Sequence, residues 1–475
     1  MTMEQFDIVI KGGTVVSGQG ETQADVGIQG ETIAAVGPDL RGGAARVIDA
    51  RNKLVLPGVI DAHTHPVYTD DMAATCRAGA SGGVTTILSF VGAFPSWGFP
   101  KTTPSEVVGS FVDAWSGQVA CDFGLHAAFD AADDVAAEVP KLVAAGVSSF
   151  KFFMAYRARN MMVDDRSLIE GMKVIADHGG IAIVHAENGD GIEYFESQFW
   201  DQADVPHATY LHCHTPLFET EATLRAIALA DAVGCPLYVP HLAVAEGITA
   251  IELGRRTAST TVWVETCPHY LLLTNREVIE RGALSKIAPP IRLERDNESL
   301  WRGVADGTIQ TIATDHAART VEIKSDAPNL LQAPYGAEGI EHLLPLTYSE
   351  GVRGGRISLQ RMVQVLSENP ADIFGLSPRK GRILPGADAD VVVLDPAGEA
   401  LCTAERHVGS SDYCLYEGQR LVGKVTETLR RGHVVVDGGK LVDDITGGRY
   451  VPRSAFRQAT REDETQERRT MPVLS

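Results

Sequence analysis

The chain has 475 residues, of which 44% are apolar and 22% charged, and a formal net charge of −20. That length exceeds one ordinary core, so two domains are expected, one of them large, and the composition excludes a disordered protein. The acidic balance argues against nucleic acid and anionic membrane surfaces as partners.

The N-terminus, Met1 to Gln5, is acidic and has no apolar signal core, and no apolar run reaches membrane-spanning length. Seven scattered cysteines with no CxxC pair suggest reduced thiols and a cytoplasmic setting. Short apolar runs separated by Gly-rich turns then follow at residues 6–10, 14–16, 24–29, 33–36 and 47–50. They read as strands, too few to close a core alone.

From residue 54 the texture changes to strand, loop and helix in repetition. Candidate strands are 54–60, 84–91, 122–128, 148–154, 181–185, 237–241, 261–266 and 308–313, with helical patterns such as 167–178 and 219–233 between them. Alternation of this kind implies parallel strands with crossovers, and eight of them imply an α/β protein built on a (β/α)8 TIM barrel. A further helical run, 359–374, should break at Asn369-Pro370. Strands return at 389–395, 424–430, 431–436 and 440–442. The economical reading is a small β-sandwich domain built from both chain ends with the barrel inserted. The expected division is 1–55 and 379–451 for the β-domain, 56–378 for the barrel and 452–475 for a polar tail. That tail is expected on the surface or around a neighbouring subunit.

In a (β/α)8 barrel, chemistry sits at the C-terminal ends of the strands. The first strand leads into Asp61-Ala62-His63-Thr64-His65, where two imidazoles on one strand face can reach one ion. The fourth carries Lys151 between aromatic residues, and a buried ammonium needs a partner or a modification. The fifth ends at His185, the sixth at His241 and the eighth near Asp315. Four histidines, a lysine and an aspartate at strand ends point jointly to a metal site. His126 and His269 read as structural or supporting residues, and the cluster His207, His212 and His214 reads as surface loop. Cys121, Cys213 and Cys267 sit in no motif that would activate a thiol.

These residues lie in segments that resemble the hydantoinases and dihydropyrimidinases of the amidohydrolase superfamily. The segments are LPGVIDAHTH, GGVTTILSF, SSFKFFMAY, VHAEN, ETCPHYLLLT, APPIR, ATDHAA and KGRILPGADADVVVLDP, in order and spread through nearly the whole chain. The resemblance implies two divalent metal ions, most often Zn²⁺. His63, His65 and Asp315 would hold one and His185 and His241 the other, bridged by Lys151 as N6-carboxylysine. It implies attack of a metal-bridging hydroxide on a ring carbonyl of a 5-substituted hydantoin or dihydropyrimidine, giving an N-carbamoyl amino acid. Tyr156 would donate to the developing oxyanion, and Asp315 would carry the proton to the leaving nitrogen. Ala288 and Tyr335 match positions whose backbone binds the substrate amides, although the family usually has Ser and Asn there. The loop 92–100, with Phe94, Trp97 and Phe99, should line the pocket for the ring substituent. A homo-oligomer, tetramer or dimer, is also implied.

Allantoinase, or another cyclic-imide hydrolase, is the alternative activity. Dihydroorotases place an Arg where this chain has Val67, which counts against them. Non-enzymatic assembly proteins of the same group have lost metal ligands, whereas all six matching positions are intact here.

Overall fold

The structure, a computed structural model, describes residues 4–99, 102–454 and 456. The N-terminal segment forms β1 (Glu4–Ser17), β2 (Gly20–Gln29), β3 (Thr32–Gly37), β4 (Gly42–Asp49) and β5 (Leu54–Pro57). β1 and β2 form an antiparallel hairpin whose register slips between Ile10 and Gly13. The Lys11-Gly12-Gly13 signal is therefore a bulge inside one long strand and not a turn between two.

The barrel strands are β6 (Val59–Thr64), β7 (Val84–Gly92), β8 (Asp122–Ala128), β9 (Ser149–Phe153), β10 (Ile181–His185), β11 (Leu237–Val239), β12 (Val262–Thr266) and β13 (Thr311–Ile312). They lie side by side in chain order and pair in parallel. The remaining gap is spanned by a parallel bridge between Thr64 and His316, where the His65 N–H donates to the His316 carbonyl at 2.8 Å. The expected first strand, 54–60, is thus two strands in two sheets, divided at Gly58. A Cβ there would lie 2.1 Å from Thr85 Oγ1, so the crossing requires glycine.

β14 (Val391–Leu401), β15 (Arg420–Arg430), β16 (His433–Asp437) and β17 (Lys440–Leu441) return to the first sheet. Its order is β17-β16-β15-β14-β5-β1-β2-β3, with β4 on β1, so both ends of the chain share one sheet. Ile10, Val26, Ile28, Val55, Val391 and Val393 fill one core from both ends. The helical run after the barrel does not break at Asn369-Pro370. It passes from Leu359–Val363 through a π turn, Gln364–Glu368, into Asn369–Ile373. The wider turn accommodates a proline that has no N–H to offer the preceding turn.

Buried charges join the two units beneath the barrel. The Lys380 ammonium lies 2.8 Å from Asp122, 2.7 Å from Asp390 and 3.0 Å from Asp388. Arg431 meets Asp122 at 2.9 Å. Burial alone would depress the Lys380 ammonium, but the three carboxylates raise it above its ordinary value. Arg453 is buried as well, donating to Ser149 Oγ at 2.8 Å and to the Leu125 carbonyl. The start of the tail therefore enters the barrel base instead of staying on the surface, while residues 457–475 lie outside the described residues. His126 sits above Arg453, bonded to Ser149 Oγ at 2.5 Å and to the Ala62 carbonyl at 3.1 Å, in a structural position. All seven cysteines are buried and unpaired, and no helix among the described residues is long and apolar enough to cross a membrane.

Candidate active site

The nine residues singled out in the sequence line one cavity at the C-terminal end of the barrel: His63, His65, Lys151, Tyr156, His185, His241, Ala288, Asp315 and Tyr335. Phe90 packs against two of them, its ring centroid 4.6 Å from that of His63 and 5.3 Å from that of His65. Asp315 Oδ1 lies 3.0 Å from His63 Nε2 and 3.1 Å from His65 Nε2. On the other side, His185 Nδ1 and His241 Nε2 are 3.0 Å apart. His63, His241 and Asp315 present donor atoms within 4.8 Å of one another.

Three site residues hold left-handed backbone: Tyr156 at φ 69°, His241 at φ 43° and Asp315 at φ 50°. Non-glycine residues adopt this conformation at a cost of order 1–3 kcal/mol, so the surrounding hydrogen bonds must fix it. For Asp315, Asp61 supplies them. Its carboxyl accepts from the Thr314 N–H at 3.1 Å and the Thr314 hydroxyl at 2.5 Å, tying β6 to the turn that carries Asp315. Burial pushes Asp61 up to about 6.

On β12, behind the histidines of the cavity, sits Glu265, a residue that sequence reasoning missed. Its Oε1 accepts from His63 Nδ1 at 2.7 Å and from the His241 N–H at 3.0 Å, and its Oε2 accepts from the Tyr238 hydroxyl at 2.7 Å. With Nδ1 as donor to Glu265, His63 presents its Nε2 to the cavity. Glu187 does the same for His185, bonding Nε2 at 2.9 Å and leaving Nδ1 for the cavity. Its other oxygen meets His214 Nδ1 at 3.0 Å, and His214 Nε2 meets Glu196 at 3.2 Å. His214 is therefore buried behind the site and is not part of a surface loop. His207 is exposed, bonded to the Ile279 carbonyl at 2.9 Å. Glu265→Gln, which offers an amide where two acceptor oxygens serve, should weaken metal binding about 10–100-fold. Competition against a chelator would measure this, and unchanged affinity would remove Glu265 from the orienting role.

Lys151 has neither hydrogen-bond nor carboxylate partner among the described residues. Its ammonium nitrogen rests 5.0 Å and 5.3 Å from the Phe90 and Phe153 ring centroids, and burial lowers it to about 8. Burial also lowers His65 to about 4, and it lowers His185 and His241 below their ordinary range, so burial favours the neutral form of these imidazoles. His63 differs: burial alone would depress it, but the Asp315 and Glu265 carboxylates push it up to about 9. Asp315 would be raised by burial alone, yet the imidazoles beside it hold it well below the usual carboxylate range. Four imidazoles, a carboxylate and a partnerless amine converging this closely fit divalent cations. His65 Nδ1 is also buried without a partner, which leaves Nε2 as the nitrogen set toward Asp315.

The walls are Tyr68, Trp97, Phe153 and Met161, with Arg159 at the rim, its guanidinium carbon 4.9 Å from the Tyr335 ring centroid. Of the loop expected around the substituent, Trp97 lines the cavity. Phe94 packs against it at 4.7 Å, and Phe99 instead approaches Phe111 at 6.4 Å. Two buried lysines fix the segment carrying Tyr335. Lys286 donates to the Leu331 and Ala333 carbonyls at 2.6 and 2.8 Å. Lys324 donates to the carbonyls of Lys286, Pro334 and Gly336 at 2.9, 3.0 and 2.7 Å.

A model of the amidohydrolase family, which is metal-dependent, matches residues 54–438. The chain is 35% identical over 467 residues to a D-hydantoinase of Ralstonia pickettii, covering 95% of this chain and 100% of that one. It is 35% identical over 456 residues to an allantoinase of Rubrobacter xylanophilus, covering 94% and 98%. The crystal structure of a dihydropyrimidinase from Brevibacillus agri superposes with a TM-score of 0.90 at 33% identity, covering 95% of this chain and 99% of that one. Likeness of this extent, over a chain whose barrel mouth gathers such donors, shows that the chain belongs to the amidohydrolase family, in its hydantoinase and dihydropyrimidinase group.

Proposed function

We propose that the protein is a metal-dependent hydrolase that opens the ring of a cyclic amide, a 5-substituted hydantoin or a dihydropyrimidine, to an N-carbamoyl amino acid. The observation that carries this reading is the meeting of His63, His65, His185, His241 and Asp315 around the partnerless Lys151 in one cavity. The names of the relatives support the choice of cyclic amides.

His63, His65 and Asp315 would hold one divalent ion and His185 and His241 the other, most plainly zinc given the N/O donors. Lys151 would bridge them as its carbamate, which replaces an uncompensated buried cation by an anionic ligand. Held by these residues, the ions would supply Lewis acidity of the kind that polarises a carbonyl and lowers the pKa of water from ~15.7 to about 7. Asp315 takes the proton from the attacking water and delivers it to the ring nitrogen as the C–N bond breaks, because an amide nitrogen leaves poorly without one. The Tyr156 hydroxyl has no hydrogen-bond partner among the described residues, which leaves it free to donate to the oxyanion. A donor so placed contributes about 3 kcal/mol. Backbone groups at Ala288 and Tyr335, on segments held by Lys286 and Lys324, would orient the ring amides.

The test is turnover by zinc-loaded protein of a panel: dihydrouracil, phenylhydantoin, a hydantoin with a carboxylate substituent, allantoin and dihydroorotate. Ring opening of a hydantoin or dihydropyrimidine supports the reading. Turnover of allantoin alone would replace it, and turnover of none would overturn it. The apolar wall favours aromatic substituents, and Arg159 at the rim offers a partner for an acidic one.

Metal loading should depend on pH in a definite sense. With His63 at about 9 and Lys151 at about 8 in the metal-free protein, both carry protons at pH 7 that an ion must displace. Affinity should therefore rise with pH and level off above about 9. A pH electrode in weakly buffered solution should record proton release on zinc addition at pH 7 and much less near pH 10. Equal release at both would contradict the assignment.

A further inference from the structure

A second group of metal-ligand side chains lies outside the catalytic cavity, where the segment between β14 and β15 crosses the outer helices of the barrel. His342 Nε2 and His407 Nε2 are 3.3 Å apart. Glu341 Oε1 lies 3.4 Å from each of these two nitrogens. Cys414 Sγ lies 3.7 Å from His342 Nε2, and the donors of His342, His407 and Cys414 all fall within 4.8 Å of one another. A tetrahedral ion with bonds of about 2.0–2.3 Å sets its ligand atoms about 3.3–3.8 Å apart. The four measured edges have that spacing.

The surroundings hold the donors in place. Arg281 donates to the Cys414 and Leu415 carbonyls, both at 2.7 Å, and the Leu415 N–H donates to Glu338 at 2.5 Å. Glu341 uses its other oxygen to accept from the Val408 N–H at 2.9 Å, leaving Oε1 for the cluster. Cys402 Sγ lies 3.9 Å from His342 Nδ1, so the two ring nitrogens of His342 have different neighbours. The His407 imidazole is 3% exposed and Cys414 is 1% exposed, so water is nearly excluded. Without a cation, burial pushes the Cys414 thiol and the Glu341 carboxyl up, toward their neutral forms. One thiolate and one carboxylate would balance a divalent charge.

We propose that Glu341, His342, His407 and Cys414 form a structural site for a divalent cation of the zinc type, separate from the catalytic cavity. Four protein donors close the coordination sphere, which suits a structural rather than a catalytic ion. The site would clasp the segment carrying His407 and Cys414 to the barrel. That segment also reaches the strand ends: the Ser410 N–H donates to Asp70 at 2.7 Å, and Asp70 meets His316 Nε2 at 3.0 Å, one residue beyond Asp315.

Cobalt distinguishes this site from the catalytic one, because among the described residues no cysteine lines the catalytic cavity. The full chain, stripped with chelator and titrated with Co²⁺, should show a thiolate-to-cobalt charge-transfer band whose final amplitude corresponds to one thiolate-bound ion per chain, whatever further cobalt the catalytic cavity takes up. Cys414→Ser should abolish the band, and His407→Ala should weaken it. As-purified Cys414→Ser should hold one metal ion fewer than the unmodified protein by elemental analysis, with ring-opening turnover retained. Absence of the band from the unmodified chain, a measurement that needs no variant to fold, would overturn the proposal. A band that survives Cys414→Ser would overturn it as well.

Discussion

Lys151→Ala is expected to lose tightly bound metal and to lower turnover by at least about a thousand-fold. Loss of a single stabilising donor typically costs 10²–10³ in rate, and Lys151 is proposed to bridge two ions. The alanine variant leaves a gap between the Phe90 and Phe153 rings that a small carboxylate could enter. Added formate or acetate should therefore restore part of the metal content and part of the rate. The checks are elemental analysis and ring-opening assays with and without the added acid. A variant that keeps two tightly bound ions and full rate would show that no bridging carbamate forms.

The second large effect is on stability. Lys380→Met removes the ammonium that three carboxylates share, leaving Asp122 and Asp390 buried with Arg431 as the nearest remaining cation. Breaking a buried ion cluster by removing one partner costs about 3–5 kcal/mol, because the orphaned charge stays behind. Chemical unfolding monitored by circular dichroism should register a loss of that size. Adding Asp122→Asn and Asp390→Asn to the same variant should recover part of it by removing the orphaned charges. If Lys380→Met costs less than about 1 kcal/mol, the cluster is not what joins the two units.

The barrel and the six residues gathered at its mouth were legible because each signal is local. His63 and His65 sit two apart on a strand, and apolar runs end at Lys151, His185 and His241. Glu265 was not legible, since its partners are set by strand adjacency: it meets a histidine 202 residues away. Glu187 is only two residues from His185, a local spacing that could have marked it, but its second partner His214 lies 27 residues on. His214 was misread because nothing in its loop signals that the short helix Ala208–Cys213 folds over the end of β10. The Lys380 cluster joins residues 258 apart in sequence, a distance no periodicity spans. The division at Gly58 was hidden for a related reason. An apolar run keeps its period of two when the chain passes from one sheet into the next, so only the glycine marks the crossing.

The pairing of β5 with β14 has a consequence for biosynthesis. Pro57 and Val391 are register partners more than 300 residues apart. At about 5–20 residues per second, a ribosome needs roughly 15–70 s to bring the second to the first. Throughout that interval β5 has β1 on one side and an open edge on the other, of the kind that recruits strands from other chains. The whole barrel must emerge, and can fold, while the sheet that anchors it is half built. Nascent chains of this protein therefore carry a long-lived unpaired strand edge, and their yield should depend on translation speed and on chaperones that cover such edges.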